Sequence, residues 1–167
     1  MARELRRLSF DIFLQRFRSG EPISLDPARF WEALAGVYRG RPGGYTVVTG
    51  DGGECAMQVD AGENGSVVVG CAFFIREQWT PQLLTTFLNV ARATDGVLVG
   101  AFVPPRVILV DAGQRSSLPE MPGWDDPVVC QSGEELAALL GAGFMEWDRY
   151  RTQMQEAKED GLNRYHS

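Results

Sequence analysis

The chain has 167 residues, 44% of them hydrophobic and 23% charged, a composition that excludes a disordered chain and fits one domain large enough to fold without disulfides or a structural metal. No window approaches the run of about 20 apolar residues that a membrane span requires, so no membrane partner is expected. The net charge of −6 is uneven: residues 1–41 carry +3, and residues 42–167 carry −9, which argues against nucleic-acid binding and suits a basic protein partner.

Ser9 to Phe17 reads SFDIFLQRF. Phe10, Ile12 and Leu14 alternate with Asp11 and Gln15, a strand pattern, while Phe13 and Phe17 occupy the second face and imply that both faces are covered. Ser19-Gly20-Glu21-Pro22 is a turn. Asp26-Pro27 opens a helix, with Asp as cap and Pro at the first helical position. Phe30, Leu34, Val37 and Tyr38 share one helical face until Gly40 and Pro42-Gly43-Gly44 end it. Tyr45 to Thr49 and Glu54 to Asp60 read as strands around the Gly50-Asp51-Gly52-Gly53 turn. Ala61 to Gly65 turns the chain again, and Ser66 to Ile75, the most apolar strand, belongs in the middle of the sheet. This meander implies antiparallel pairing.

Thr80-Pro81 repeats the cap-plus-proline signal before a helix whose apolar face is Leu83, Leu84, Phe87, Leu88 and Ala91; Asp95-Gly96 stops it. Val97 to Val103 and Arg106 to Val110 read as strands around Pro104-Pro105, Gln114 to Asp126 as a polar loop, and Val128 to Cys130 as a short strand. Ser132 to Glu135 spells a capping box ahead of Leu136, Leu139 and Leu140. Gly141 and Gly143 interrupt this helix, and Phe144, Trp147, Tyr150, Arg151 and Met154 resume helical spacing. The expected architecture is a single α+β domain over residues 1–167, frayed at 1–8 and 160–167, with a mainly antiparallel sheet and helices packed mostly on one face.

Cys55, Cys71 and Cys130 are odd in number, widely spaced and set in apolar strands. They read as buried free thiols in a reducing, cytoplasmic setting. The one histidine, His166, sits beside the C-terminus, where no general base can be held in place. The acid pairs Asp125-Asp126 and Glu134-Glu135 are sequence neighbours rather than converging carboxylates, and GDGGE at 50–54 lacks the lysine of a phosphate loop and the acid count of a calcium loop. No catalytic, cofactor-binding or metal residue is therefore assigned, and the chain is not expected to be an enzyme. The partner-binding candidates are Trp79 and Trp124 in turn-rich contexts, the acids Asp125 and Asp126, and Trp147 with Tyr150 on the C-terminal segment, because Trp and Tyr are enriched among interface anchors.

The stretch SFDIFLQRFRSGEP resembles a set of uncharacterised bacterial proteins that open with S-F-D-[IL]-F-[LV]-Q-x-F-x-x-G-E-P. The resemblance extends over residues 73–110 and over the L-P-x-M-P…P-V-V…S-G-x-E section at 118–135, covering about residues 9–136. The Arg-rich start and the 144–160 helix stand outside it. Proteins of this kind look like immunity or accessory proteins of bacterial toxin systems, which implies association with such a system and no mechanism; the expectation adopted is an immunity protein whose partner is a cognate toxin, or another basic protein, and which occludes the toxin's active site or substrate groove. The resemblance carries over no catalytic residue. The alternative expectation is a small-molecule-binding or regulatory domain with a pocket between helix and sheet.

Overall fold

The computed structural model describes residues 10–76, 79–100 and 106–163, without the side chains of 142–148, 150, 151, 159 and 161–163. Among the described residues nine strands form one sheet: β1 (Phe10–Arg18), β2 (Glu21–Ile23), β3 (Tyr38–Arg41), β4 (Gly44–Val48), β5 (Glu54–Asp60), β6 (Gly70–Ile75), β7 (Val97–Gly100), β8 (Arg106–Leu109) and β9 (Val128–Val129). Their order is β3-β4-β5-β6-β1-β7-β8-β9, with β2 paired to the end of β1. Every pairing is antiparallel except β8 with β9. The α-helices of the described residues are α1 (Pro27–Ala33), α2 (Pro81–Thr94) and α3 (Gly133–Asn163), which with the sheet make an α+β domain.

The proline signals hold. Asp26 accepts from the Arg29 amide at the start of α1, and Thr80 accepts from the Leu83 amide at the start of α2. Asp95, at φ +53, and Gly96 end α2 where the sequence places the stop. Gly133 begins α3 against α2 so closely that an added Cβ would lie 2.5 Å from the Thr85 hydroxyl.

Several expected elements differ: Glu21-Pro22, read as turn, belongs to β2 against β1, the strand read from Ser66 starts at Gly70, and three further differences have a clear cause. The first helix ends at Ala33, not near Gly40. Gly36 adopts φ +80, which turns the chain, and the Val37 carbonyl already accepts from the Val48 amide. Tyr38 therefore starts an edge strand instead of closing a helical face. There it packs against Trp31, with ring centroids 5.0 Å apart, and against Tyr45 at 6.0 Å. Second, part of the expected polar loop is a 3₁₀ helix, Ala112–Ser117, capped by the Asp111 side chain on the Gly113 amide. Third, Gly141 does not interrupt α3, which runs unbroken from Gly133 to Asn163. A glycine inside a helix costs only about 1 kcal/mol relative to alanine, too little to stop a helix that is already anchored. That anchor is Leu136 and Leu140, both fully buried.

The main core lies on one side of the sheet. Phe10, Ile12 and Leu14 of β1, Phe73 and Ile75 of β6, and Leu98 and Ile108 of β7 and β8 face α1, α2 and α3. Phe73 stacks on Phe87 of α2 with centroids 4.3 Å apart. Cys55, Cys71 and Cys130 are buried and free, as their apolar strand context predicts. Burial, reinforced by Glu54, pushes the Cys55 thiol up to about 12; burial likewise raises Cys71 and Cys130. A thiol held protonated is a poor nucleophile.

Candidate interaction surface

Successive strand residues point to opposite faces, so β1 serves two environments. Phe10, Ile12 and Leu14 enter the main core, whereas Phe13 and Phe17 emerge on the far face. No α-helix of the described residues covers that far face. At one end, Val97, Val107 and Leu109 form a small second core, packed by Phe17, Val99, Leu118, Trp124 and Val129. Trp124 meets Phe17 edge to face, with centroids 5.5 Å apart and an interplanar angle of 87°.

The segment that carries Trp124 is tied down by one buried side chain. Gln114, 7% exposed, accepts from the Val110 amide at 2.9 Å and the Asp111 amide at 3.3 Å. Its amide group donates to the Asp95 carboxylate at 3.1 Å and the Gly96 carbonyl at 3.0 Å. Arg115 donates to the Pro127 carbonyl, and the Gly20 amide to the Ser117 carbonyl. The chain from Ala112 to Pro127 thus stands as a ridge over the β7–β9 end of the face. Along it runs an open groove of about 620 Å³ between Arg115, Leu118, Met121, Trp124 and Asp125.

Among the described residues, the other half of the face carries no helix and forms a shelf. Strand register places Arg41, Gly44, Ala72, Phe13, Val99 and Val107 in one cross-strand row, with Gln58 between Gly44 and Ala72. The neighbouring row holds Arg39, Thr46, Ala56, Phe74 and Asp11. Phe13 is 41% exposed although it lies on an interior strand. The expectation that both faces of β1 are covered is therefore met at Phe17 and fails at Phe13, because the ridge stops short of it. The shelf ends on exposed Arg39 and Arg41, and the ridge carries exposed Glu120, Asp125 and Asp126.

The sequence-selected residues do not form one site. Trp124, Asp125 and Asp126 belong to the ridge. Trp79 is half-buried against Phe10, with centroids 5.6 Å apart, and packs on the main core. Phe10 and Phe17 lie on opposite faces of β1, so Trp79 and Trp124 are separated by the sheet. Trp147 and Tyr150 fall on α3, and their side chains lie outside the described residues, as do all atoms of His166. Sequence reading missed Phe74, Arg39 and Arg41, and it placed Phe13 on the second face without the exposure. Only the register of five strands sets these residues side by side.

The GDGGE turn holds a polar cluster around Asp51, and its work is structural. Asp51 accepts from the hydroxyls of Thr49 and Thr80, both at 2.7 Å, and from the amides of Gly53 and Gln82. Desolvation alone would raise its pKa; the hydrogen bonds from Thr49 and Thr80, then those from the Gln82 and Gly53 amides, outweigh it and lower the carboxyl to about 2. A depressed carboxylate stabilises the fold above its unfolded value, here 3.8, and that contribution disappears as pH falls through the folded value. Asp51→Asn should therefore lower the melting temperature at neutral pH. The gap between variant and parent should close between about pH 4 and pH 2. Thermal melts of both across that range test it, and a gap independent of pH would contradict the assignment.

Among the described residues no group of three or more His, Cys, Asp or Glu side chains could hold a metal ion, and no helix is long and apolar enough to cross a membrane. Comparison with known proteins finds no matching family model, no matching curated protein and no matching solved structure.

Proposed function

We propose that this chain is a non-enzymatic bacterial binding protein, an immunity protein that neutralises a cognate toxin by covering its active site. The far face of the sheet is the surface it uses. The observation that carries this reading is the half-covered face itself: an exposed Phe13 on an interior strand, beside a ridge held rigid by Gln114 and bearing Trp124 with three carboxylates. Exposed apolar surface rimmed by charge marks interaction sites, and a half-buried tryptophan on a fixed loop is the residue type that anchors them. The resemblance of SFDIFLQRFRSGEP to immunity-like proteins supports the toxin as partner. So does the −9 charge of residues 42–167, which attracts a basic protein. Such a protein acts in the cytoplasm of the cell that makes the toxin.

Binding kinetics against the product of the adjacent gene test the proposal. Association should slow as salt rises, since exposed charges beyond about 10 Å are screened at 0.1 M ionic strength. Trp124→Ala should leave association nearly unchanged and speed dissociation, weakening affinity by about 2 kcal/mol or roughly thirtyfold. Asp125→Asn with Asp126→Asn should act weakly and mainly on association. Failure of the purified pair to bind, or binding indifferent to Trp124, would overturn the proposal; turnover of a small molecule by the pure protein would overturn the whole class.

A further inference from the structure

The turn between β5 and β6 carries Asn64-Gly65, the one Asn-Gly pair in the chain. Residues 62–67 are all exposed. The hairpin is secured before this turn is reached: the Val69 amide donates to the Asp60 carbonyl at 2.7 Å, and the Gly62 amide to the Asp60 carboxylate at 3.1 Å. The turn itself is closed by the Gly65 amide on the Gly62 carbonyl at 3.4 Å, beyond the usual ~2.9–3.0 Å, so that amide is weakly held. Among the described residues nothing holds the Asn64 carboxamide. Gly65 stands at φ +67, and a Cβ there would meet nothing within 4 Å, so no neighbour crowds the approach to it.

We propose that Asn64 is a site of spontaneous deamidation through a cyclic imide formed with Gly65. The Gly65 backbone nitrogen gives up its proton to hydroxide and attacks the Asn64 side-chain carbonyl carbon. The new C–N bond closes a succinimide ring. The bond from that carbon to the side-chain nitrogen breaks, and the nitrogen takes a proton from water and leaves as ammonia. Water then opens the ring at either carbonyl: one opening leaves aspartate, the other routes the main chain through the side-chain carbonyl and leaves isoaspartate. Either product adds one negative charge to a chain that already carries −6.

Other places in the molecule lack one or more of these conditions. Asn89 lies in α2, accepts from Arg92 at 3.3 Å and is followed by buried, β-branched Val90. Asp51-Gly52 and Asp95-Gly96 could close the same ring, yet both carboxylates are held, Asp51 by four hydrogen bonds and Asp95 by Gln114 at 3.1 Å. The Gly96 amide, moreover, already donates to the Ala91 carbonyl at 2.8 Å. Asp160-Gly161 is part of α3, whose helical dihedrals turn the next amide nitrogen away from the side chain. At Asn64 the consequence is local. The residue lies outside Asp60 with Gly70, the last β5–β6 pair, so the product stays folded. The inference is independent of the toxin reading.

The full chain, kept warm at mildly alkaline pH beside a synthetic peptide of residues 61–67, tests the proposal. Mass-spectrometric peptide mapping follows Asn64, and methylation by an isoaspartate-specific carboxyl methyltransferase measures the isoaspartate. When half of the peptide has converted, a comparable share of the folded chain should carry aspartate or isoaspartate at position 64. Asn89 should then be intact and the thermal melt unchanged. Conversion should slow in mildly acidic buffer, where fewer amide nitrogens lose their proton. Asn64→Gln, an exposed change that a melt confirms as folded, should lose the acidic species. A folded chain still intact at position 64 when the peptide is half converted overturns the proposal, because the turn then protects Asn64. So does aspartate without isoaspartate, which means direct hydrolysis and no ring, or an acidic species that survives in Asn64→Gln.

Discussion

Phe87→Ala is expected to destabilise the fold by about 3–5 kcal/mol, the range for emptying an aromatic site in a packed core. Phe87 is fully buried in α2, and its ring lies 4.3 Å from that of Phe73 on β6, with 28° between the planes. Removing it opens a void at the joint between the longest buried helix face and the middle of the sheet. Neither wall can close in: α2 is capped by Thr80 and held by Asp51, and β6 is paired on both sides. For a chain of this size the loss corresponds to roughly 6–20 °C in melting temperature. Urea denaturation of parent and variant measures it, and a loss under about 1 kcal/mol would mean that this joint is not where the core is closed.

The second large effect belongs to a polar residue. Gln114→Leu keeps the approximate volume and removes all four hydrogen bonds of the Gln114 side chain. The buried Gly96 carbonyl and the Val110 amide lose partners that no apolar side chain replaces. Each unsatisfied buried group costs about 1–3 kcal/mol, so a loss of about 2–4 kcal/mol is expected. Hydrogen exchange should show where it falls. The Val110 and Asp111 amides should exchange much faster, while those at the centre of α2 change only with global stability. The same variant should loosen the ridge and so weaken any binding that depends on Trp124. Uniform acceleration across all amides would argue that Gln114 acts on the whole fold rather than on this segment.

Much of the architecture is legible in local chemistry. Asp26-Pro27 and Thr80-Pro81 mark helix starts because their effects act within one turn, and the 45–75 meander is written in short apolar runs between turns. What is lost is whatever depends on distant partners. Nothing local says that β1 lies between β6 and β7, or that Gln114 reaches Gly96. Gly36, at φ +80, ends the run after α1, while the helical spacing of Val37 and Tyr38 points the other way. The candidate surface was half legible: tryptophan in a polar loop pointed to Trp124, but the same reasoning selected Trp79, which closes the main core on the other side of the sheet. Exposure of Phe13 follows only from where the ridge ends.

β1 is the first strand of the described chain to be synthesised and among the last to be completed. Its residue Leu14 pairs with Cys71 on one side and Leu98 on the other. Until β7 is available, an emerging chain holds a strand with apolar side chains on both faces and at least one open edge. Pairings this distant in sequence are slow to form, because loop closure comes before any contact rewards it. Chains that terminate between Thr94 and Val97 would contain both proline-started helices and the whole meander, yet expose one side of β1 as a template for intermolecular pairing. Aggregation of nascent or proteolysed chains should therefore depend sharply on whether β7 has been included.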